Sequence, residues 1–131
     1  MEMPIELTML GLAVVWLFVM IVAMAFFSLS ERNTAQLVGP RDDLPAAKGM
    51  FARATRNVDN HREGIILFAP FALIAVVTDS TTAMTAIGAQ VFFYSRVAHG
   101  ILYLLGVPWL RSLAWAAGIV GTFMVAWPIF F

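Results

Sequence analysis

The sequence of 131 residues contains no cysteine. This absence excludes disulfides, thiolate metal sites and a cysteine nucleophile, so any thiol chemistry would have to come from a ligand. Charge is scarce as well, since only 12% of the residues are charged and eight basic residues balance eight acidic ones. Without a basic block, nucleic-acid binding is not expected. The two histidines, His61 and His99, are too few for a metal site, and none is predicted.

Apolar side chains are abundant, at 61% of the residues, and the mean hydropathy is +0.86. Because a helix of roughly 20 residues crosses a hydrocarbon core about 30 Å thick, the charge-free segment 7–30 predicts a transmembrane helix. Acidic residues precede it where a signal peptide would be basic, so we expect this helix to remain in the mature protein. Residues 1–131 are predicted to form one all-α integral membrane domain, a four-transmembrane-helix bundle with helices at about 7–30, 48–78, 82–105 and 110–127.

Basic residues divide unequally between the two predicted faces of the membrane. Most of them lie in the first connector and the helix start that follows it, and the third connector contains Arg111. The termini and the second connector contain no lysine or arginine. By the positive-inside rule, connectors one and three are predicted to be cytoplasmic and both termini exoplasmic.

The second predicted helix begins with "RATRNVDNHREG", which is rich in charged residues and directly precedes an apolar segment. At about 100° per residue, two arginines, an asparagine and a glutamate fall on one stripe, whereas His61 and Arg62 point elsewhere. Guanidinium groups bind carboxylates and a glutamate binds an ammonium, so this polar stripe is predicted to bind a ligand that has both. Alternatively, the charges lie at the membrane interface and pair with each other. The polar stripe consists of Arg53, Arg56, Asn60 and Glu63.

The third predicted helix contains a second stripe, formed by Arg96, His99 and Tyr103 in an otherwise apolar segment. An arginine inside the membrane costs roughly 2.5 to 3.5 kcal/mol on insertion scales, so Arg96 is predicted to face protein or ligand. A structural alternative is an ion pair of Arg96 with Glu63 or Asp59. For His99, an interhelical hydrogen bond is the alternative to catalysis.

Two further basic residues lie on the same predicted face. Arg32 closes the first helix, and Arg111 and Ser112 open the fourth. An arginine beside free helix N-termini favours an anion such as a thiolate. The alternatives are contact with the helix dipole and lipid headgroups for Arg32, and a positive-inside anchor for Arg111.

Two of these spacings, in register, resemble one family. The resemblance rests on two segments. The first is the spacing R-x2-R-x3-N-x2-E followed by "GIILFAPF", and the second is "SRVAHGILYLLGVPWLRS", which ends in Arg-Ser. They are similar to the second-helix signature and the third-helix motif of the membrane-associated proteins in eicosanoid and glutathione metabolism (MAPEG). The resemblance extends from about Arg32 to Trp115. The short terminus and compact loops resemble the bacterial branch, which implies a bacterial inner membrane.

The resemblance implies a homotrimer of four-helix subunits, with glutathione bound between neighbouring subunits and open to the cytosol. Carried over by position, Arg56, Asn60 and Glu63 would hold the carboxylates and the amine of the tripeptide. Arg96 and Tyr103 would complete the polar wall. Glutathione, as co-substrate, would then bring the reactive sulfur that the cysteine-free chain lacks.

Three more residues take roles by the same resemblance. Arg32 would reach in from helix one, and Arg111, with Ser112 nearby, would stabilise the glutathione thiolate. One departure is Asp59, which stands where some eicosanoid-pathway members have an additional basic residue. An acid at this position would weaken carboxylate binding or re-route Arg56.

The expected function is that of a glutathione transferase, a glutathione peroxidase or both, acting on lipophilic electrophiles or lipid hydroperoxides. These substrates would arrive from the bilayer, between helices one and four of adjacent subunits. A rival hypothesis is a non-catalytic membrane scaffold or lipid-binding protein, in which Arg96, Glu63 and Asp59 form a structural charge cluster. A weaker rival is a transporter or proton relay of Arg96, His99 and Asp79, although Asp79 is expected on the opposite face of the membrane.

Overall fold

A computed structural model describes residues 2–131 and places most of them in five helices, with no strand in that range. Four of the helices are long and one is short. They are α1 (Ile5–Glu31), α2 (Thr34–Val38), α3 (Gly49–Val77), α4 (Ala83–Leu105) and α5 (Pro108–Phe130). The described chain is therefore all-α, as predicted.

Three of the long helices, α1, α3 and α5, are long and apolar enough to cross a membrane by length and composition. The fourth, α4, is not among them, because Gln90, Arg96 and His99 lower its hydropathy. Large apolar side chains are exposed along the three candidate spans, among them Phe18 and Phe26 at 66% and 68%. So much exposed apolar surface suits contact with lipid rather than water, and the protein is an integral membrane protein.

The helix contacts define two ends of the bundle. At the connector end, Lys48 at the start of α3 lies beside Glu31 at the end of α1, and the Arg53 side chain contacts the backbone of Leu104 near the end of α4. At the terminal end, Glu6 in α1 accepts a hydrogen bond from the Thr85 hydroxyl in α4. The start of α5 therefore lies at the connector end, since it directly follows α4.

Helices α4 and α5 approach each other closely where Gly88 meets Gly121. A Cβ atom on Gly121 would lie 2.6 Å from the Gly88 carbonyl oxygen and 2.6 Å from the Phe92 amide nitrogen. Only the absence of a side chain lets the two backbones approach so closely, as small residues do at helix crossings in membranes. Beside this crossing, the Phe68 and Phe92 rings stack with their centroids 4.0 Å apart and form the centre of the apolar core.

The carboxylate of Glu6 is buried at the terminal end of the helix bundle. Glu6 is 2% exposed, and its hydrogen-bond donor Thr85 is fully buried in the first turn of α4. That turn begins with a capping box between Thr82 and Thr85. The Glu6 carboxylate therefore lies beside the positive end of the α4 dipole, which favours an anion there and joins α1 to α4.

The structure differs from the sequence prediction in the first connector and at both ends of the last helix. The first connector, where no helix was predicted, contains α2, because Asn33 and Gln36 form a capping box. The last helix begins at Pro108 rather than near residue 110, since the fixed φ of proline suits the first helical position. It also continues past Pro128 to Phe130, so this proline lies in the last turn rather than ending the helix.

Candidate functional site

The candidate site is a cavity of about 300 Å³ at the connector end, between α3, α4 and α5. We call it the polar cavity. Four of its six lining residues are ones that the sequence singled out as binding or catalytic. The lining residues are Asn60, His99, Tyr103, Arg111, Ser112 and Trp115.

Arg111 supplies the positive charge of the polar cavity. Its guanidinium carbon lies 4.7 Å from the centroid of the Tyr103 ring, so the ring face and the cation attract each other. Arg111 is in the first turn of α5, and the exposed Ser112 hydroxyl donates a hydrogen bond to the Pro108 carbonyl, 3.1 Å away. The aromatic ring of one helix thus holds the arginine of the next beside the open cavity.

His99 forms the inner wall of the polar cavity. Its ring lies edge-to-face with that of Tyr103, with centroids 5.5 Å apart, and only 3% of the residue is exposed. Its Nδ1 atom is buried and has no hydrogen-bond partner among residues 2–131. A buried nitrogen without a partner is costly, and a hydrogen bond with a ligand or an ordered water would offset that cost.

A second, smaller cavity of about 90 Å³ adjoins the first and extends between α3, α4 and α5. The two cavities share Asn60 and Trp115 as lining residues. Glu63 and Arg96 line the smaller cavity. Asn60 therefore connects the predicted polar stripe on α3 with both spaces.

Arg96 is the most deeply buried arginine of the predicted set, at 3% exposure. Its Nη2 donates to Asn60 Oδ1 at 2.6 Å, and its Nε donates to His61 Nδ1 at 3.3 Å. The other ring nitrogen of His61, Nε2, lies 3.0 Å from the Ala13 carbonyl oxygen of α1. Because a guanidinium only donates and a carbonyl only accepts, His61 is the neutral tautomer with its proton on Nε2.

Two glycines make room for the Arg96 side chain. A Cβ on Gly64 of α3 would lie 3.3 Å from the Arg96 guanidinium carbon, and one on Gly118 of α5 would lie 3.2 Å from its Cδ. The arginine therefore lies between two helices at positions where neither has a side chain. Its direction is set by this packing and by its hydrogen bonds to Asn60 and His61.

The charge cluster of the scaffold hypothesis is not formed as a set of ion pairs. Within residues 2–131, the ion pair present joins Arg62 to Asp59 at 3.1 Å, with both side chains more than half exposed, and no carboxylate pairs with Arg96. The proton-relay hypothesis lacks a path as well. Asp79 lies in the exposed turn before α4, and Arg96 follows the start of that helix by roughly 20 Å at 1.5 Å per residue.

Three of the predicted binding arginines do not line either cavity. Arg32 lies over the Phe51 ring, 4.7 Å from its centroid. Arg53 Nη1 donates to the Leu104 carbonyl at 3.3 Å, at the C-terminal end of α4. Arg56 is exposed on α3. Arg53 thus stabilises a helix end, where a cation also complements the helix dipole.

Sequence reasoning missed two residues of the site, His61 and Trp115. The helical phase of α3 placed His61 off the polar stripe, yet it is the residue that joins Arg96 to α1. Trp115 was not among the predicted site residues, yet it lines both cavities. Periodicity within one helix could not find either, because each role depends on residues of other helices.

The arrangement suits an anionic ligand with a reactive atom beside Arg111. The polar cavity offers a guanidinium, a hydroxyl, an amide and a histidine, and an exposed carboxylate, Glu63, lines the adjoining smaller cavity. A cation beside a thiol favours the thiolate, which is the nucleophilic form.

Helical bundle and cavity together define a class, an integral membrane protein with a cationic polar cavity at one end of its helices. A sequence model of the MAPEG family matches residues 7–131, nearly the whole chain. The protein belongs to the MAPEG family, and the predicted resemblance is confirmed. Comparison with curated proteins and with solved structures gave no significant match.

Replacement of His61 by leucine tests the contact between α1, α3 and α4. The variant leaves Arg96 Nε and the Ala13 carbonyl without partners, so we expect the free energy of unfolding to fall by about 2 kcal/mol. Thermal unfolding of the purified protein in detergent measures the change. Arg62→Leu is the matched control, because Arg62 is 56% exposed and its ion pair is worth little. Equal stability of the two variants would contradict the assigned role of His61.

Proposed function

We propose that the protein is a membrane-embedded glutathione-dependent enzyme, a transferase or peroxidase acting on lipophilic electrophiles or lipid hydroperoxides. The observation that supports this best is Arg111 held over Tyr103 beside the open polar cavity. In this proposal Arg111, with Ser112 nearby, stabilises the glutathione thiolate. Family membership is consistent with this activity.

In the transferase reaction, the thiolate sulfur attacks an electrophilic carbon, a carbon–sulfur bond forms and the leaving group departs with its electron pair. In the peroxidase reaction, the thiolate attacks a peroxide oxygen, which gives an alcohol after protonation and the sulfenic acid of glutathione. A second glutathione then forms the disulfide and releases water. Both reactions need a thiolate beside a cation, which is the environment that Arg111 would provide.

The proposal includes a topology and an assembly. All four long helices cross the membrane, the connector end faces the cytosol of a bacterial cell, and glutathione enters from there. The subunit forms a homotrimer, in which exposed members of the polar stripe, Arg56 and Glu63, complete the site at the subunit interface. Arg32 would be contributed from α1 of a neighbour. The exposure of Arg56 and Glu63 in the single subunit is what supports this arrangement.

Glutathione binding to the purified protein tests the proposal. We expect saturable binding at millimolar concentration or below. The Arg56→Ala variant should bind about tenfold more weakly, because a charged hydrogen bond to a carboxylate is lost. Equilibrium dialysis with labelled glutathione measures both, and Arg62→Ala, on the same helix but outside the polar stripe, should bind as the unmodified protein does. No saturable binding together with no effect of Arg56→Ala would refute the proposal.

A second candidate function is a non-catalytic lipid- or small-molecule-binding protein with the same fold. The observation that favours it is that Arg96 already satisfies two of its donors within the protein. A conjugation assay with a chlorodinitrobenzene acceptor, run beside thermal unfolding with glutathione, separates the two. Stabilisation without turnover indicates binding alone, and neither response indicates a scaffold.

A further inference from the structure

Asn60 borders both the polar cavity and its smaller neighbour, and one contact fixes the direction of its amide. Arg96 Nη2 lies 2.6 Å from one terminal atom of the Asn60 side chain. Because a guanidinium nitrogen only donates, that atom is the carbonyl oxygen Oδ1 and not the nitrogen Nδ2. The positive charge of the donor makes this hydrogen bond a strong one.

The Nδ2 atom is the free end of the Asn60 amide. It makes no hydrogen bond within residues 2–131. It is not closed off either, because the buried side-chain atoms without a partner in this range are Trp16 Nε1, Asn57 Oδ1 and His99 Nδ1. Asn60 is half-buried, and the open spaces that it borders are the two cavities. Asn60 therefore presents an N–H donor, and not an acceptor, to the space for a ligand.

The guanidinium that orients Asn60 is itself held from the opposite side. Arg96 Nε donates to His61 Nδ1 at 3.3 Å, and His61 Nε2 donates to the Ala13 carbonyl of α1 at 3.0 Å. Arg96 is 3% exposed and His61 is 1% exposed, so both side chains leave little surface for a ligand. A chain of hydrogen bonds thus runs from the α1 backbone through His61 and Arg96 and ends at Asn60.

We infer that Arg96 and His61 are positioning residues, which orient the Asn60 amide so that its N–H groups face the ligand. Arg96, which was expected to form part of the binding wall, then acts through Asn60. A donor at this position selects a ligand that has a hydrogen-bond acceptor there, such as a carboxylate or a peptide carbonyl oxygen. This selectivity rests on the proposed binding of glutathione, whereas the orientation of the amide does not.

NMR of the full chain in detergent, without glutathione, tests the orientation. The sequence contains three asparagines, Asn33, Asn57 and Asn60, so a sample labelled with ¹⁵N in asparagine alone gives three side-chain amide pairs. Single alanine variants assign the pairs. Arg96→Met keeps an unbranched side chain but removes the donors. We expect it to shift the Asn60 pair and to lower its order parameter, because the amide is released.

Asn57 is the internal control for helix packing. Its Nδ2 donates to the Gly100 carbonyl of α4 at 3.0 Å, about one helical turn from the contact between Asn60 and Arg96. The Asn57 pair therefore reports whether α3 and α4 still pack together. In Arg96→Met, the pairs of Asn57 and Asn33 should stay in place. An unmoved Asn60 pair, or a shift of the Asn57 pair as large as that of Asn60, would overturn the inference.

Glutathione affinity distinguishes positioning from direct binding. In equilibrium dialysis, Asn60→Ala and Arg96→Met should each weaken binding about tenfold, the usual order for one lost hydrogen bond. The double variant should bind within about twofold of Asn60→Ala, because a residue that acts through Asn60 then has nothing to act on. Multiplied effects, about 100-fold in the double variant, would show that Arg96 contacts the ligand itself. Arg62→Met, the same substitution at an exposed position of α3, should bind as the unmodified protein does.

Asn60→Asp tests the direction of the amide in a variant that keeps the shape of the residue. One carboxylate oxygen can still accept from Arg96, so the fold should be retained, and the other oxygen replaces Nδ2. Because this oxygen would face the acceptor of the ligand, we expect glutathione to bind about 100-fold more weakly than to the unmodified protein. Unchanged affinity would show that the amide faces the other way. If the unmodified protein binds no glutathione, the proposed function fails, and the NMR shift still decides whether Arg96 positions Asn60.

Discussion

Replacing Gly121 by leucine is expected to leave no stably folded bundle. The Cβ atom alone would lie 2.6 Å from both the Gly88 carbonyl oxygen and the Phe92 amide nitrogen, and both atoms belong to the α4 backbone. A flexible side chain could turn away from such a contact, but a helix backbone cannot. Helices α4 and α5 would therefore have to separate, which would open the core around Phe92.

The size of this effect can be graded with alanine. Gly121→Ala adds only the Cβ, and overpacking of a tight core costs typically 1 to 3 kcal/mol, against which the better helix propensity of alanine returns up to about 1 kcal/mol. Because the contact is with backbone atoms, we expect the upper half of the net range, roughly 1 to 2 kcal/mol of lost stability for alanine, and no monodisperse protein for leucine. Thermal unfolding and size-exclusion chromatography in detergent measure the two.

Gly11 provides the matched control for both changes. It lies within α1, and a Cβ at this position would meet nothing within 4 Å. Gly11→Ala and Gly11→Leu should therefore be neutral or slightly stabilising. If Gly121→Leu unfolded at the same temperature as Gly11→Leu, the close contact of α4 with α5 would not exist in the membrane protein.

Arg111→Ala is expected to reduce the proposed glutathione conjugation by about 100-fold to 1,000-fold, the range seen when one stabilising donor is removed from a developing or bound anion. Part of the reason is the protonation of the ligand, and the rest is the lost electrostatic stabilisation of the bound anion. A free thiol with a pKa of about 8.5 is mostly protonated at neutral pH, and a nearby guanidinium shifts it towards the thiolate. Glutathione affinity should fall much less than the rate.

The pH profile distinguishes this role from a structural one. Activity of Arg111→Ala should rise about tenfold per pH unit up to the pKa of the free thiol, whereas the unmodified protein should already be near its plateau at neutral pH. Arg111→Lys keeps the positive charge and should retain more activity than alanine at every pH. Arg41→Ala removes a cation from the exposed first connector and is the control for net charge. Identical pH profiles for Arg111→Ala and the unmodified protein would show that Arg111 does not act on the thiol.

Much of the site was visible in the helical phase of single segments. Asn60, Tyr103, Arg111 and Ser112 were selected from spacing and resemblance, and the structure brings them to one cavity. This works because residues on one face of a helix turn towards the same space.

The roles of individual charges were not visible in the same way. Arg53 shares the phase of Asn60 but contacts the carbonyl of Leu104, because the end of α4 happens to lie beside it. His61 lies off that phase but holds Arg96, since α4 approaches α3 from that side. Asp59 was expected to weaken carboxylate binding or to re-route Arg56, but it pairs with Arg62 on the exposed surface. Each of these contacts depends on the position of a neighbouring helix, and the sequence pattern of a single helix does not predict that position.

The sequence by itself determined the class of the protein, its helical content and its family, because hydropathy and helical periodicity are properties of contiguous residues. Two motifs in register were sufficient for MAPEG membership. Only the tertiary structure decided which polar atoms are satisfied and which spaces remain open. The Gly88–Gly121 crossing, the His61 bridge to α1 and the unpaired atoms of Trp16 and Asn57 all arise from contacts between distant segments. Such contacts depend on how side-chain volumes fit between helices, which one helix alone does not specify.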